Sequence, residues 1–211
     1  MTQTKPLTKK IFLLMLVVAV CLAALLVTRS LTQERIMRNE HAWLEAQINF
    51  LLPTSLHDNN LLDDQVSISA PEDLTPTGRL VAYRARLHGN PTGVVIHAIT
   101  SEGYNGPIEL LIGVDYAGTI QGVHILSHHE TPGMGDTFAQ PGSSWLDSFK
   151  HRSLTNPDTR GWNVRKDGGE FEQFTSATIT PRAIIHAIQR NLDFYNHNKD
   201  AIYSSEAQPL Q

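Results

Sequence analysis

Residues Ile108 to Leu126 read IELLIGVDYAGTIQGVHIL, and this stretch decides the fold. Two runs rich in Val, Ile and Leu, Ile108–Val114 and Thr119–Leu126, flank the tetrapeptide Asp115-Tyr116-Ala117-Gly118. Such runs, broken by a short turn with a glycine able to take positive φ, are the pattern of a β-hairpin. Upstream, Arg79–His88 (RLVAYRARLH) partly alternates and Gly93–Thr100 is a Val/Ile run, so two further strands are expected there. Downstream, Trp145–Phe149 reads as a short helix. Trp162–Lys166 reads as a short strand that ends in the Asp167-Gly168-Gly169 turn. From Pro181 onward, Ile184, Ile185, Ile188, Leu192 and Tyr195 share one helical face. Thr180 is the expected N-cap and Pro181 the first helical residue. Strands followed by a packing helix, with short connections, predict an α+β domain with a largely antiparallel sheet packed by helices.

Working outward, Ile11–Val27 (IFLLMLVVAVCLAALLV) carries no charge, and with Thr28 it is long enough to span a bilayer. A cleaved signal peptide has a shorter apolar region and a small-x-small site, which Val27-Thr28-Arg29 does not supply. A lipoprotein site is disfavoured because Cys21 sits mid-run behind the bulky Val20. Lys5, Lys9 and Lys10 lie closer to the span than do Arg35 and Arg38, which follow Arg29 on the other side. The expected orientation is N-terminus in the cytoplasm and bulk of the chain outside. Ile36–Leu52 has helical apolar spacing and is closed by Pro53. The expected organisation is a cytoplasmic N-terminus (1–10), a transmembrane helix (11–28) and a juxtamembrane helix with linker (29–65). One domain (66–197) and a loosely ordered tail (198–211) complete it.

The chain has 211 residues, of which 41% are hydrophobic and 18% charged, so about one ordinary domain remains beyond the anchor. A net charge of -4 without a basic block argues against nucleic acid as a partner. One cysteine permits neither an internal disulfide nor a cysteine-based zinc or iron–sulfur site. No Gly-x-Ser-x-Gly elbow, Walker A loop or Gly-x-Gly-x-x-Gly after a strand occurs, and no catalytic residue of the chain's own is expected.

Three segments carry the remaining chemistry. In Thr175-Ser176-Ala177-Thr178, small side chains leave the backbone open to a phosphate, a hydroxyl is available for esterification, and a helix start follows. On spacing alone the commoner reading is a polar connection whose hydroxyls cap the helix. In His128-His129-Glu130-Thr131-Pro132-Gly133-Met134-Gly135-Asp136, the glycines allow close approach and positive φ, and Met134 offers a polarizable surface to an aromatic ring. A metal site built on His124, His128, His129 and Glu130 lacks a supporting ligand set, and no metal is expected. Gly103-Tyr104-Asn105-Gly106-Pro107-Ile108 reads on its own as a hairpin turn.

Taken together and in this order, the three segments resemble the FMN-binding domain of the G subunit of the Rnf (Rsx) electron-transport complex. The single N-terminal anchor matches as well, so the resemblance covers nearly the whole chain. In that family the last threonine of a Ser/Thr-Gly-Ala-Thr motif holds FMN through a phosphoester. The resemblance implies Thr178 as that residue, with Ser176 standing where the family has glycine and Glu172 in the family's acidic position. It implies cofactor contacts from Thr175, Ser176, Ala177, Glu130, Thr131, Gly133 and Met134, and maturation by a separate flavin transferase. The N–H groups beyond Pro181 and the Arg182 cation are expected to offset the phosphate charge. The implied function is a membrane-anchored flavoprotein subunit that relays electrons in a complex coupling electron transfer to ion translocation. Its implied partners are the other subunits, including an iron–sulfur and a nicotinamide-binding subunit. The implied place is the bacterial inner membrane, with the FMN domain on the periplasmic side. The C subunit of a sodium-pumping quinone reductase is the related alternative, and a membrane-tethered binding domain without a redox role is the alternative of another class.

Overall fold

A computed structural model describes residues 5–140, 142–174 and 177–208, with side chains from Thr8 onward. Two helices frame five strands: α1 (Lys5–Leu51), β1 (Gln65–Ser69), β2 (Arg79–Leu87), β3 (Asn90–Thr100), β4 (Ile108–Asp115), β5 (Ile120–Ser127) and α2 (Ile179–Ser204). The chain divides into two compact units between Leu44 and Glu45.

The first unit is most of α1. Its apolar run from Ile11 to Val27 exposes its side chains on every side, and the helix is long and apolar enough to cross a membrane. The expected break between a spanning helix and a separate juxtamembrane helix is absent, and α1 runs on to Leu51. No proline or glycine interrupts residues 8–52. The hydroxyls of Thr28, Ser30 and Thr32 bond back to the carbonyls of Ala24, Val27 and Thr28 at 2.9, 2.9 and 2.8 Å, so polar residues after the apolar run continue the helix.

In the second unit the strands pair in sequence order, β1-β2-β3-β4-β5, and every pair is antiparallel. The hairpin turn at 115–118 forms as the sequence predicts, with Gly118 at φ +95°. One row crosses the whole sheet on a single face: Val66, Ala82, Ile96, Ile112 and Val123. All five are buried, and the buried stripe of α2 (Ile184, Ile185, Ile188, Leu192, Tyr195) shares their core. The irregular segment before α2 completes this core with rings. Phe149 and Phe171 stack at 4.6 Å between centroids, and Trp145 meets Phe174 edge-on at 5.0 Å.

The end of α1 reaches the other sheet face. Gly113 and Gly122 are cross-strand partners, and a Cβ on either would come within about 3 Å of Leu51. Two facing glycines thus open the place where Leu51 sits, and Ile48, Leu51 and Leu52 are buried. Farther along the same face, His97, Leu111 and His124 form a row. Burial pushes both imidazoles below their ordinary value, opposed at His97 by Glu109 at 3.4 Å.

Four expectations need correction. The sequence gives no strand signal for β1, because QVSIS is short and mostly polar. Trp162–Lys166 is no strand: only Val164 bridges Phe171, and a 3-10 turn follows at Arg165–Asp167. That segment exists to seat Trp162 and Val164, both fully buried, among the rings. Helix α2 begins at Ile179 rather than Pro181, with Thr178 as N-cap; Thr180 is buried and bonded elsewhere. The helix also passes Asn198, where its φ/ψ is non-helical, and continues to Ser204 instead of dissolving into a tail. Its last turn has no basic residue of its own, and Arg84 of β2 supplies the cation. The buried Arg84 guanidinium donates to the carbonyls of Ile202 and Ser205 at 3.0 and 2.7 Å, and Asp64 pairs with both Arg84 and Arg86.

Candidate functional site

The three sequence segments converge. The connection between β3 and β4 carries Gly103–Pro107, the segment after β5 carries Glu130–Gly135, and the start of α2 carries Thr178. Between them lies an open cavity of about 250 Å³ lined by Tyr104, Glu130, Thr131, Met134, Gly135, Ala177, Thr178 and Ile179. Tyr104, Met134 and Ile179 are exposed large apolar or aromatic side chains, so the cavity opens through an apolar rim.

The Glu130–Gly135 loop is a tight turn. The N–H groups of Met134 and Gly135 both donate to the Thr131 carbonyl at 3.1 Å, and Gly133 sits at φ +78°. The Gly133 N–H donates to Asp136 Oδ1 at 2.7 Å, so Gly133 shapes the turn from outside the cavity wall. The Asn105 amide donates to Thr131 Oγ1 at 2.9 Å and locks this turn to the neighbouring connection.

Glu130 stands at the centre of these contacts. It is only 4% exposed, its Oε2 accepts from the buried Thr180 hydroxyl at 2.7 Å, and its Oε1 accepts from the Asn105 N–H at 3.3 Å. One carboxylate thus ties all three segments together.

Thr178 is half-buried on the cavity wall, and its hydroxyl makes no capping hydrogen bond. An N-cap whose side chain is uncommitted leaves the first N–H groups of a 26-residue helix available to an anion. Thr175 and Ser176 lie outside the described residues. On either side of them, Phe174 and Ala177 are bridged. Arg182 differs from expectation: it forms a two-point ion pair with Asp167 at 2.6 and 2.9 Å. The hydrogen bonds from Arg182 hold the Asp167 carboxyl below its ordinary range. Arg182 is therefore engaged with the 165–168 turn and is not free for a phosphate. Glu172 is exposed and pairs with Arg165.

Sequence reasoning missed three residues. Tyr104 lies in a segment that reads on its own as a turn, Ile179 is a lone apolar residue at a helix start, and Thr180 reads as a cap. Apolar exposure at a cavity rim has no signature in spacing. Among the described residues no group of three His, Cys, Asp or Glu is placed to hold a metal ion. His128 instead meets Phe138 edge-on at 5.0 Å. A wider groove of about 480 Å³ beside α2, lined in part by Asp73, Arg190, Asp193 and His197, contains none of the three segments.

The cavity suits a flat, partly exposed ring system tethered through a phosphate. It offers an apolar rim, a buried acceptor and a free hydroxyl at a helix start. Comparison with known proteins supports FMN as the ring system. Residues 103–193 match the family described as FMN-binding domain, and that match begins at Gly103 and encloses all three segments. A protein of Vibrio atlanticus, named as the G subunit of an ion-translocating oxidoreductase complex, is 41% identical over 184 residues, covering 87% of this chain and 86% of its own. The protein of the same name from Shewanella loihica is 35% identical over 203 residues, 96% of each chain. That from Pseudomonas aeruginosa is 42% identical over 156 residues, 74% of this chain and 73% of its own.

Proposed function

The chain belongs to the family of G subunits of Rnf-type ion-translocating oxidoreductase complexes, and on that premise we propose that it carries FMN as a phosphoester on Thr178. It is a membrane-anchored flavoprotein component of a redox-driven translocase, with α1 as the anchor. The names of its relatives favour the G subunit over the C subunit of a sodium-pumping quinone reductase, and the FMN-binding match favours a redox role over simple binding.

One observation carries the proposal: Thr178 combines a cavity-lining position, an N-cap position and a hydroxyl unused in capping. A phosphate esterified there meets the N–H groups and positive end of α2. FMN, when bound, supplies transfer of one or two electrons. The residues of the chain hold and shield it. Thr178 fixes the phosphate. Met134, Tyr104 and Ile179 offer apolar surface that excludes water from the ring, and Glu130 and Thr131 supply polar contacts. Gly133 keeps the turn tight, and Thr175, Ser176 and Ala177 complete the attachment segment. A flavin transferase makes the bond, and the other subunits of the complex give and take the electrons. The domain lies on the periplasmic side of the inner membrane, because Lys9 and Lys10 flank the span closely on its N-terminal side. Covalent attachment there prevents loss of the cofactor.

The test is peptide mass spectrometry of the full chain coexpressed with a flavin transferase. The peptide containing Thr178 is expected to carry the added mass of FMN. An unmodified peptide from a chain that is otherwise folded contradicts the proposal.

A further inference from the structure

Glu130 ties three segments together, yet it does so as a buried carboxylate, 4% exposed and without a cationic partner among the described residues. A buried, unpaired charge is costly, and two donors, Thr180 Oγ1 and the Asn105 N–H, satisfy only part of its capacity of about four. The backbone nevertheless makes room for it from two sides. A Cβ on Gly103 would lie 2.9 Å from Oε1, and one on Gly135 would lie 2.8 Å from Oε2. Among the described residues no titratable neighbour pairs with it. On its own loop His129 lies beside Gly106, and Asp136 receives the Gly133 N–H. On the β3–β4 connection Tyr104 shares the cavity wall. On α2, Arg182 is taken by Asp167. The protein thus maintains an uncompensated carboxylate in the wall of the cavity, with acceptor capacity to spare.

We propose that Glu130 tunes the flavin: its charge holds the reduction potential down, and its carboxylate takes up a proton when an electron reaches the site. The proposal rests on the reading that this cavity holds the flavin. The electron comes from the one-electron donor within the complex, or from dithionite in vitro. The proton comes from water at the cavity mouth and bonds to a carboxylate oxygen of Glu130. The side chain passes from -1 to neutral, so the local charge is unchanged by electron arrival. Proton uptake coupled to electron arrival makes the potential rise as pH falls.

The experiment compares the full chain, coexpressed with flavin transferase, as wild type and as Glu130→Gln. Peptide mass is read first. A wild-type Thr178 peptide without FMN defeats the underlying reading rather than this one. With both proteins loaded, the midpoint potential is measured against pH. The Gln variant is expected to be more positive at alkaline pH, to show a shallower pH slope, and to converge with wild type at acid pH. Superimposable curves overturn the proposal. Should the variant not fold, the wild type decides alone through redox-difference infrared spectra. Reduction is expected to add a protonated-carboxyl C=O band that moves in D₂O and on ¹³C-glutamate labelling, and absence of that band overturns the proposal.

Discussion

The two helices of this chain carry their apolar residues in opposite ways. From Ile11 to Val27, α1 points large apolar side chains in every direction, and each is about half exposed or more, from 49% at Val18 to 71% at Phe12. Beyond Ile179 at the cavity rim, helix α2 gathers its large apolar residues in one stripe, and Ile184, Ile185, Ile188 and Tyr195 are fully buried. The chain itself supplies the partner surface for α2. For the first part of α1 it supplies none within the described residues, and the hydrocarbon of a bilayer is the medium that fits. Stability of the domain therefore resides in α2 and the sheet, and attachment to the membrane resides in α1.

The sharpest way to break this contrast is at the far end of α2. Arg84→Met removes the cation that satisfies the last helical carbonyls and leaves Asp64 with Arg86 alone. A loss of about 3–5 kcal/mol is expected in denaturant melts, as for other broken buried pairs. Next, Ile188→Ala opens a cavity in the core and is expected to cost about 2–5 kcal/mol, whereas Leu16→Ala is expected to leave the domain's unfolding midpoint in detergent unchanged. Equal effects from the two substitutions would erase the distinction between the helices. The smallest expected effect concerns pH. His97 and His124 are held neutral by burial, so the folded state binds fewer protons than the unfolded one as pH falls below the ordinary value of 6.5. Stability should decline on that acid side, and the His97→Gln, His124→Gln double variant should show a flatter decline.

The sequence made the antiparallel meander legible because four of its strands carry branched or alternating runs, and α2 because its stripe repeats at 3.6 residues. It could not reveal β1, whose five residues are mostly polar, nor the extension of α2 to Ser204. That extension depends on Arg84, which bonds Ile202 from 118 positions away in the chain. The site shows the same division. Glycine-rich loops and small residues before a helix are local signals that mark Glu130–Gly135 and Thr175–Thr178 as candidate segments, but spacing alone reads the second as a helix cap, and only the family resemblance singles out Thr178. The contact from Thr180 to Glu130 spans 50 positions, and no periodicity reports it. A threonine in the second position of a helix looks like a cap until the carboxylate it serves is seen.

The central claim is that the hydroxyl of Thr178 holds the flavin. The most direct test is in-gel flavin fluorescence after denaturing electrophoresis of wild type, Thr178→Ser and Thr178→Ala, each coexpressed with the flavin transferase. Fluorescence is expected to travel with the wild-type chain, to survive at least in part in the serine variant because a hydroxyl remains, and to vanish in the alanine variant. A fluorescent alanine variant would contradict the account and move the attachment point to another residue.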